Sequence, residues 1–95
     1  DVVRLGALAL DTRRRRLSVD DRACELSHRE FLLLLCLMRR AGGPCSRAEL
    51  LSEVWGYDFD PGTNVVDACV ARLRSKLPDD VVRTVRNVGY TIQPA

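Results

Sequence analysis

The chain has 95 residues, enough for one compact domain and too few for two. With 46% hydrophobic and 29% charged residues it has the composition of a folded chain, which excludes disorder, and a core this small leaves stability marginal without a partner. The formal net charge of +2 is too weak to announce nucleic acid, yet 14 of the 15 basic residues are Arg, Lys76 being the exception. Arginine donates two hydrogen bonds to a phosphate or a guanine edge where lysine acts as a point charge; a GC-rich genome produces the same bias.

The first 26 residues read as β structure. Val3 and Leu5, Leu8 and Leu10, then Leu17 and Val19 alternate with other residues as half-buried strands do. Gly6 separates the first two strands, and Asp20-Asp21 fits a two-residue hairpin turn. The run Arg13 to Arg16 falls at the start of the third strand, as a solvated strand edge or, alternatively, a phosphate contact. At Ser27 the pattern changes. Ser27-His28-Arg29-Glu30 is a capping box, and the helix it opens runs over about 28–41 to the stop at Gly42-Gly43-Pro44. Its central turns are apolar nearly all round, which marks a core helix.

A second capping box, Ser46-Arg47-Ala48-Glu49, opens a helix over about 47–55 that carries Leu50, Leu51, Val54 and a packing Trp55. Residues 56–62 form a loop with two aromatics and two acids. The third helix covers about 64–77, with Val66, Val70, Leu73 and Leu77 as its apolar stripe. Asn64, Ala68, Ala71 and Ser75 lie opposite, flanked by Arg72 and Arg74; such a ridge suits a groove-seated helix and a plain surface helix equally. Residues 82–93 read as a β-hairpin with Asn87 and Gly89 supplying its turn.

Other chemistries lack their residues. Cys24, Cys36, Cys45 and Cys69 show no C-x-x-C spacing, and His28 alone cannot complete a zinc set, so reduced thiols with no metal and no cofactor are expected. No Ser, Cys or carboxylate is tied to His28 by a catalytic motif, and no enzymatic activity is expected. The longest apolar run, Phe31 to Met38, falls far short of a membrane span, and no signal-peptide pattern is present, so a cytoplasmic location without a membrane partner is expected. The first residue is not Met, which fits a domain with a segment removed upstream.

In order, Leu26-Ser27 with Glu30-Phe31, Ser46 to Leu51, Val54 to Tyr57, Val66-Asp67, Arg72-Leu73-Arg74, Lys76-Leu77, Arg83 to Arg86 and Gly89-Tyr90 resemble the winged-helix effector domain of OmpR/PhoB-type response regulators. The resemblance covers essentially the whole chain. It implies an α+β winged helix-turn-helix: an N-terminal four-stranded antiparallel sheet, three helices and a C-terminal β-hairpin wing. It further implies sequence-specific double-stranded DNA binding. The third helix would enter the major groove with Asn64, Ala68, Ala71 and Ser75, and Arg72, Arg74 and Lys76 would neutralise phosphate. The wing would bring Arg86 to the minor groove, with Arg83 a weaker phosphate contact.

The loop holding Tyr57, Asp58, Phe59 and Asp60 would contact RNA polymerase. A receiver domain would lie upstream, and direct repeats would be bound in head-to-tail pairs, leaving the isolated domain monomeric or weakly associating. The chain departs from the family where Asn64, Cys69 and Ala71 replace long polar residues, Ser75 replaces a frequent Lys, and Asn87 replaces Gly in the wing. Shorter side chains leave two outcomes open: more thymine-methyl contact through Ala68 and Ala71, or weaker affinity offset by dimerisation. A winged helix serving as a protein-interaction module is the rival reading; it predicts an uncharged third helix and a wing tip without Arg.

Overall fold

The computed structural model describes residues 1–94. The chain opens with four short strands, β1 (Val2–Leu5), β2 (Leu8–Asp11), β3 (Arg16–Val19) and β4 (Arg22–Cys24), paired antiparallel in chain order. Register puts Val3, Leu10, Leu17 and Cys24 opposite one another across the sheet, and this row faces the helices. The opposite row, Arg4, Ala9, Ser18 and Ala23, faces out, because successive side chains of a strand alternate sides. The Asp20-Asp21 turn forms as expected, both residues at positive φ, as a two-residue turn matched to strand twist requires. The arginine run sits differently from its expected place. Arg13 to Arg15 make the β2–β3 turn, whose backbone N–H groups at Arg13 and Arg14 donate to the Asp11 carboxylate, and only Arg16 belongs to β3.

Helix α1 (His28–Arg39) is the central element. Its capping box closes in both directions, Ser27 Oγ accepting from the Glu30 N–H and Glu30 from the Ser27 N–H. It ends at Arg39, two residues short of the expected stop, because Arg40 leaves helical geometry. Leu33, Leu34 and Leu37 are fully buried between the sheet and the other helices. Then comes a strand that periodicity could not reveal, β5 (Cys45–Ser46), too short to alternate. Helix α2 (Arg47–Leu50) follows under the second capping box and continues without a break as a π-helical turn, Leu51–Trp55, ended by Gly56 at φ 74°.

Helix α3 (Val65–Lys76) packs across α1 through Val66, Cys69, Val70 and Leu73. Strands β6 (Val82–Val85) and β7 (Gly89–Ile92) form the hairpin, and β5 pairs with β7, so the wing is rooted in a three-stranded sheet of order β5-β7-β6. The hairpin turn is Arg86-Asn87-Val88, with Asn87 left-handed at φ 64°, a conformation Asn tolerates better than most residues. Gly89 lies in the strand and not in the turn. A Cβ there would sit 2.0 Å from the Cys45 carbonyl oxygen, so its lack of a side chain is what lets β5 close on β7.

Candidate nucleic-acid interface

The exposed surface of α3 follows from its buried stripe. With Val66, Cys69, Val70 and Leu73 turned inward, Asn64, Ala71 and Ser75 are exposed and Ala68 half-buried along one outer ridge. Cys69 is therefore not a groove-facing position. It belongs to the core, where burial raises its thiol pKa. Asn64 occupies the N-cap position but makes no side-chain cap bond, which leaves its amide unspent there. Ser75 Oγ donates back to the Arg72 carbonyl at 2.6 Å.

Both flanks of the ridge are pinned. On the α1 side, Glu30 is 2% exposed and receives Lys76 Nζ at 2.6 Å and Arg72 Nε at 3.3 Å. Burial disfavours the charged carboxylate, but hydrogen bonds from Lys76 and Ser27 outweigh that cost and hold its pKa below the usual range. On the wing side, Arg74 Nε donates to the Val82 carbonyl at 3.1 Å, Arg74 Nη2 donates to Thr84 Oγ1 at 2.9 Å, and the guanidinium lies over the Tyr90 ring. These contacts tie α3 to β6 and β7.

A second network joins α2, α3, the wing and the intervening loop. Arg47 donates to both oxygens of Asp67, at 2.8 and 3.4 Å, and to Asp60 at 3.2 Å, while Tyr90 donates its hydroxyl to Asp67 at 2.5 Å. The Arg47 hydrogen bond, with that of Tyr90, lowers the Asp67 pKa. Burial and the Asp67 carboxylate raise that of Tyr90. Asp60 also accepts the Gly62 N–H at 2.8 Å, so within the expected polymerase loop it braces the backbone. Tyr57 and Phe59 are 40% and 72% exposed, with Asp58 exposed between them.

Arg86 stands exposed in the wing turn, and Arg83, exposed on β6, reaches only the Gln93 side chain at 3.4 Å. The expected ridge of Asn64, Ala68, Ala71 and Ser75 lies along α3 with Arg72, Arg74 and Lys76 beside it, and Arg86 stands exposed in the wing turn. Sequence reasoning missed Glu30, Arg47, Asp67 and Tyr90 as the groups that hold α3. Two of them sit in capping-box segments, where the local role conceals the distant one, and the acidic Asp67 on an otherwise basic helix was the one available signal. Elsewhere, the four cysteines are free, and the Cys36 thiol is pushed up to about 12 by burial and its bond to Glu53. Among the described residues no group of three or more His, Cys, Asp or Glu could hold a metal ion, and no helix is long and apolar enough to cross a membrane.

Residues 21–92 match the family described as transcriptional regulatory protein, C terminal. The chain belongs to this family. The transcriptional activator protein IrlR of Burkholderia pseudomallei is 42% identical over 96 residues, covering 97% of the chain and 42% of that protein. The domain thus spans about two fifths of such a curated relative. The DNA-binding domain of CpxR from E. coli superimposes with a TM-score of 0.91 at 33% identity, covering 100% of this chain and 98% of that one. The Klebsiella pneumoniae RstA DNA-binding domain, solved in complex with the RstA box, gives 0.91 at 31% identity and covers 100% and 99%. This regulatory domain therefore has the α+β winged-helix fold of OmpR/PhoB-type effector domains, and its family is one of transcription regulators, not a class of enzymes.

Proposed function

We propose that this domain binds double-stranded DNA sequence-specifically, as the output module of a two-component response regulator acting in the cytoplasm. Helix α3 enters the major groove and the wing reaches the adjacent minor groove. One observation carries the reading. The outer ridge of α3 is exposed at Asn64, Ala71 and Ser75 and half-buried at Ala68, while ion pairs and hydrogen bonds fix its orientation from both sides. Small side chains let such a helix sit deep, and alanine methyls make good neighbours for thymine methyl groups. Arg72 and Arg74 flank the ridge, Arg74 on the side where a phosphate backbone would run, and Arg86, exposed in the wing turn, enters a narrow, electronegative minor groove.

The upstream receiver domain and head-to-tail binding to direct repeats are part of the same proposal and rest on the family. So does contact between RNA polymerase and the loop at Tyr57, Asp58 and Phe59, whose aromatics are exposed. The test is a matched pair of variants measured by fluorescence anisotropy on a selected duplex. Ala71→Glu places a carboxylate on the ridge and abolishes binding while leaving the melting temperature within about 2 °C, a surface effect. Arg86→Ala weakens specific binding by about 1–3 kcal/mol and shortens the minor-groove footprint. Undiminished binding by Ala71→Glu would remove α3 from the interface.

A further inference from the structure

Arg72 and Lys76 carry the same charge on the same flank of α3, but the structure commits them differently. Glu30 is the one buried charged residue among those described. Its Oε1 accepts Lys76 Nζ at 2.6 Å and the Ser27 N–H at 3.0 Å, and its Oε2 accepts Arg72 Nε at 3.3 Å. Lys76 Nζ donates again, to the Glu25 carbonyl at 3.0 Å, so two of the three ammonium protons are spent on the protein and its side chain is only 34% exposed. Arg72 meets a single charged partner, Glu30, through Nε; its other hydrogen-bonding neighbour is the Cys69 thiol, a weak acceptor, and its side chain is 55% exposed.

We propose that Glu30 is a positioning residue for DNA reading: it aims the fork of Arg72 toward the groove and withholds Lys76 from the phosphates. This rests on the DNA-binding reading above and sharpens it. A long side chain ordinarily gives up rotamer freedom on binding, and one already tethered at Nε gives up less. Arg72 is also a neighbour of Ala68, Ala71 and Ser75 on the helix surface, four and one residues after the first two and three before the last. Those short side chains leave the space beside it open, and none can itself make a two-point hydrogen bond. A fork held at this place matches the paired acceptors of a guanine edge. Arg72 then carries discrimination between sequences, and the local positive charge of Lys76 is neutralised internally.

The experiment compares wild type, Glu30→Gln, Arg72→Ala, the double variant and Arg72→Lys. Each is measured by anisotropy on a duplex selected from a random pool and on its scrambled counterpart across a salt series, with thermal melts alongside. Glu30→Gln is expected to lower the selected-to-scrambled ratio about tenfold, as for loss of a two-point base contact, and Arg72→Ala to do the same. The double variant shows no further loss. On scrambled DNA, Glu30→Gln steepens the salt slope by roughly 0.9, because Lys76 is released to meet a phosphate. Arg72→Lys keeps the charge and the slope but loses the ratio, and it decides the matter should Glu30→Gln fail to fold. A ratio retained by Arg72→Lys, or losses that multiply in the double variant, would overturn the proposal while leaving DNA binding intact. No preference of the wild type for the selected duplex would remove the DNA-reading function, and this inference with it.

Discussion

Gly89→Ala tests how the wing is anchored. The position has no left-handed backbone to protect, so the usual reason for a glycine does not apply; what matters is space. An added Cβ would lie 2.0 Å from the Cys45 oxygen and 3.0 Å from both the Cys45 carbonyl carbon and Ser46 Cα, all backbone atoms that no rotamer change can move aside. Strand β5 must then separate from β7, giving up the Cys45–Tyr90 and Ser46–Gly89 pairs. Overpacking of this kind costs about 1–3 kcal/mol, and each lost ladder bond adds about 1 kcal/mol. Ser46 also caps α2, so a displaced β5 disturbs a cap worth about 1 kcal/mol.

With one bond counted for each of the two pairs, the sum, about 4–6 kcal/mol, is a large share of the roughly 5–15 kcal/mol that holds a small domain together. For a chain of this size it corresponds to a fall in Tm of roughly 15–50 °C. Thermal melting followed by circular dichroism checks it, with Gly62→Ala as the comparison. Gly62 is left-handed at φ 79° but a Cβ there meets nothing within 4 Å, so only the backbone cost of about 1 kcal/mol applies. A Gly89→Ala domain that melts within about 2 °C of wild type would refute the argument from close approach.

Three further outcomes are expected. Arg74→Ala removes the bonds to Val82 and Thr84 and the contact with Tyr90, so it should cost about 1–2 kcal/mol in urea denaturation and speed amide exchange in β6; unchanged exchange would show that the wing does not depend on it. Asp67 has its pKa lowered in the folded state by Arg47 and Tyr90, so its stabilisation is present above its ordinary pKa of 3.8 and disappears as pH falls through the lower folded value. Asp67→Asn should therefore be less stable than wild type near neutral pH and lose less on acidification, and parallel urea midpoints from pH 6 down to about pH 2.5 would contradict this. Phe59→Ala in the full-length regulator should leave DNA affinity unchanged and reduce transcription from a responsive promoter; full activation would exclude the loop as a polymerase contact.

What the sequence showed most clearly was local. Both capping boxes need only a Ser and a Glu three residues apart, and both close as read. The Asp20-Asp21 turn needs only two residues that accept positive φ. The stripe of α3 also placed its ridge, and strictly applied it would have turned Cys69 inward, since Cys69 follows Val66 by three and precedes Leu73 by four. Treating Cys69 as a replaced polar residue obscured that. Distant pairings were not legible: Glu30 meets Arg72 and Lys76 across 42 and 46 residues, and Arg47 meets Asp67 across 20. Strand β5 exists only because β7 lies beside it, and the two-residue pairing leaves no periodic trace. The π-helical turn of Leu51–Trp55 has no composition of its own that distinguishes it from an ordinary helix end.

The central claim is that this domain reads DNA sequence. The most direct measurement is selection of binding sites from a random duplex pool, followed by affinity for the winner and for scrambled DNA across a salt series. The account predicts one enriched sequence bound at least about 1,000-fold more tightly than scrambled DNA, with a salt slope reflecting several neutralised phosphates. Equal affinity for selected and scrambled duplexes would contradict it.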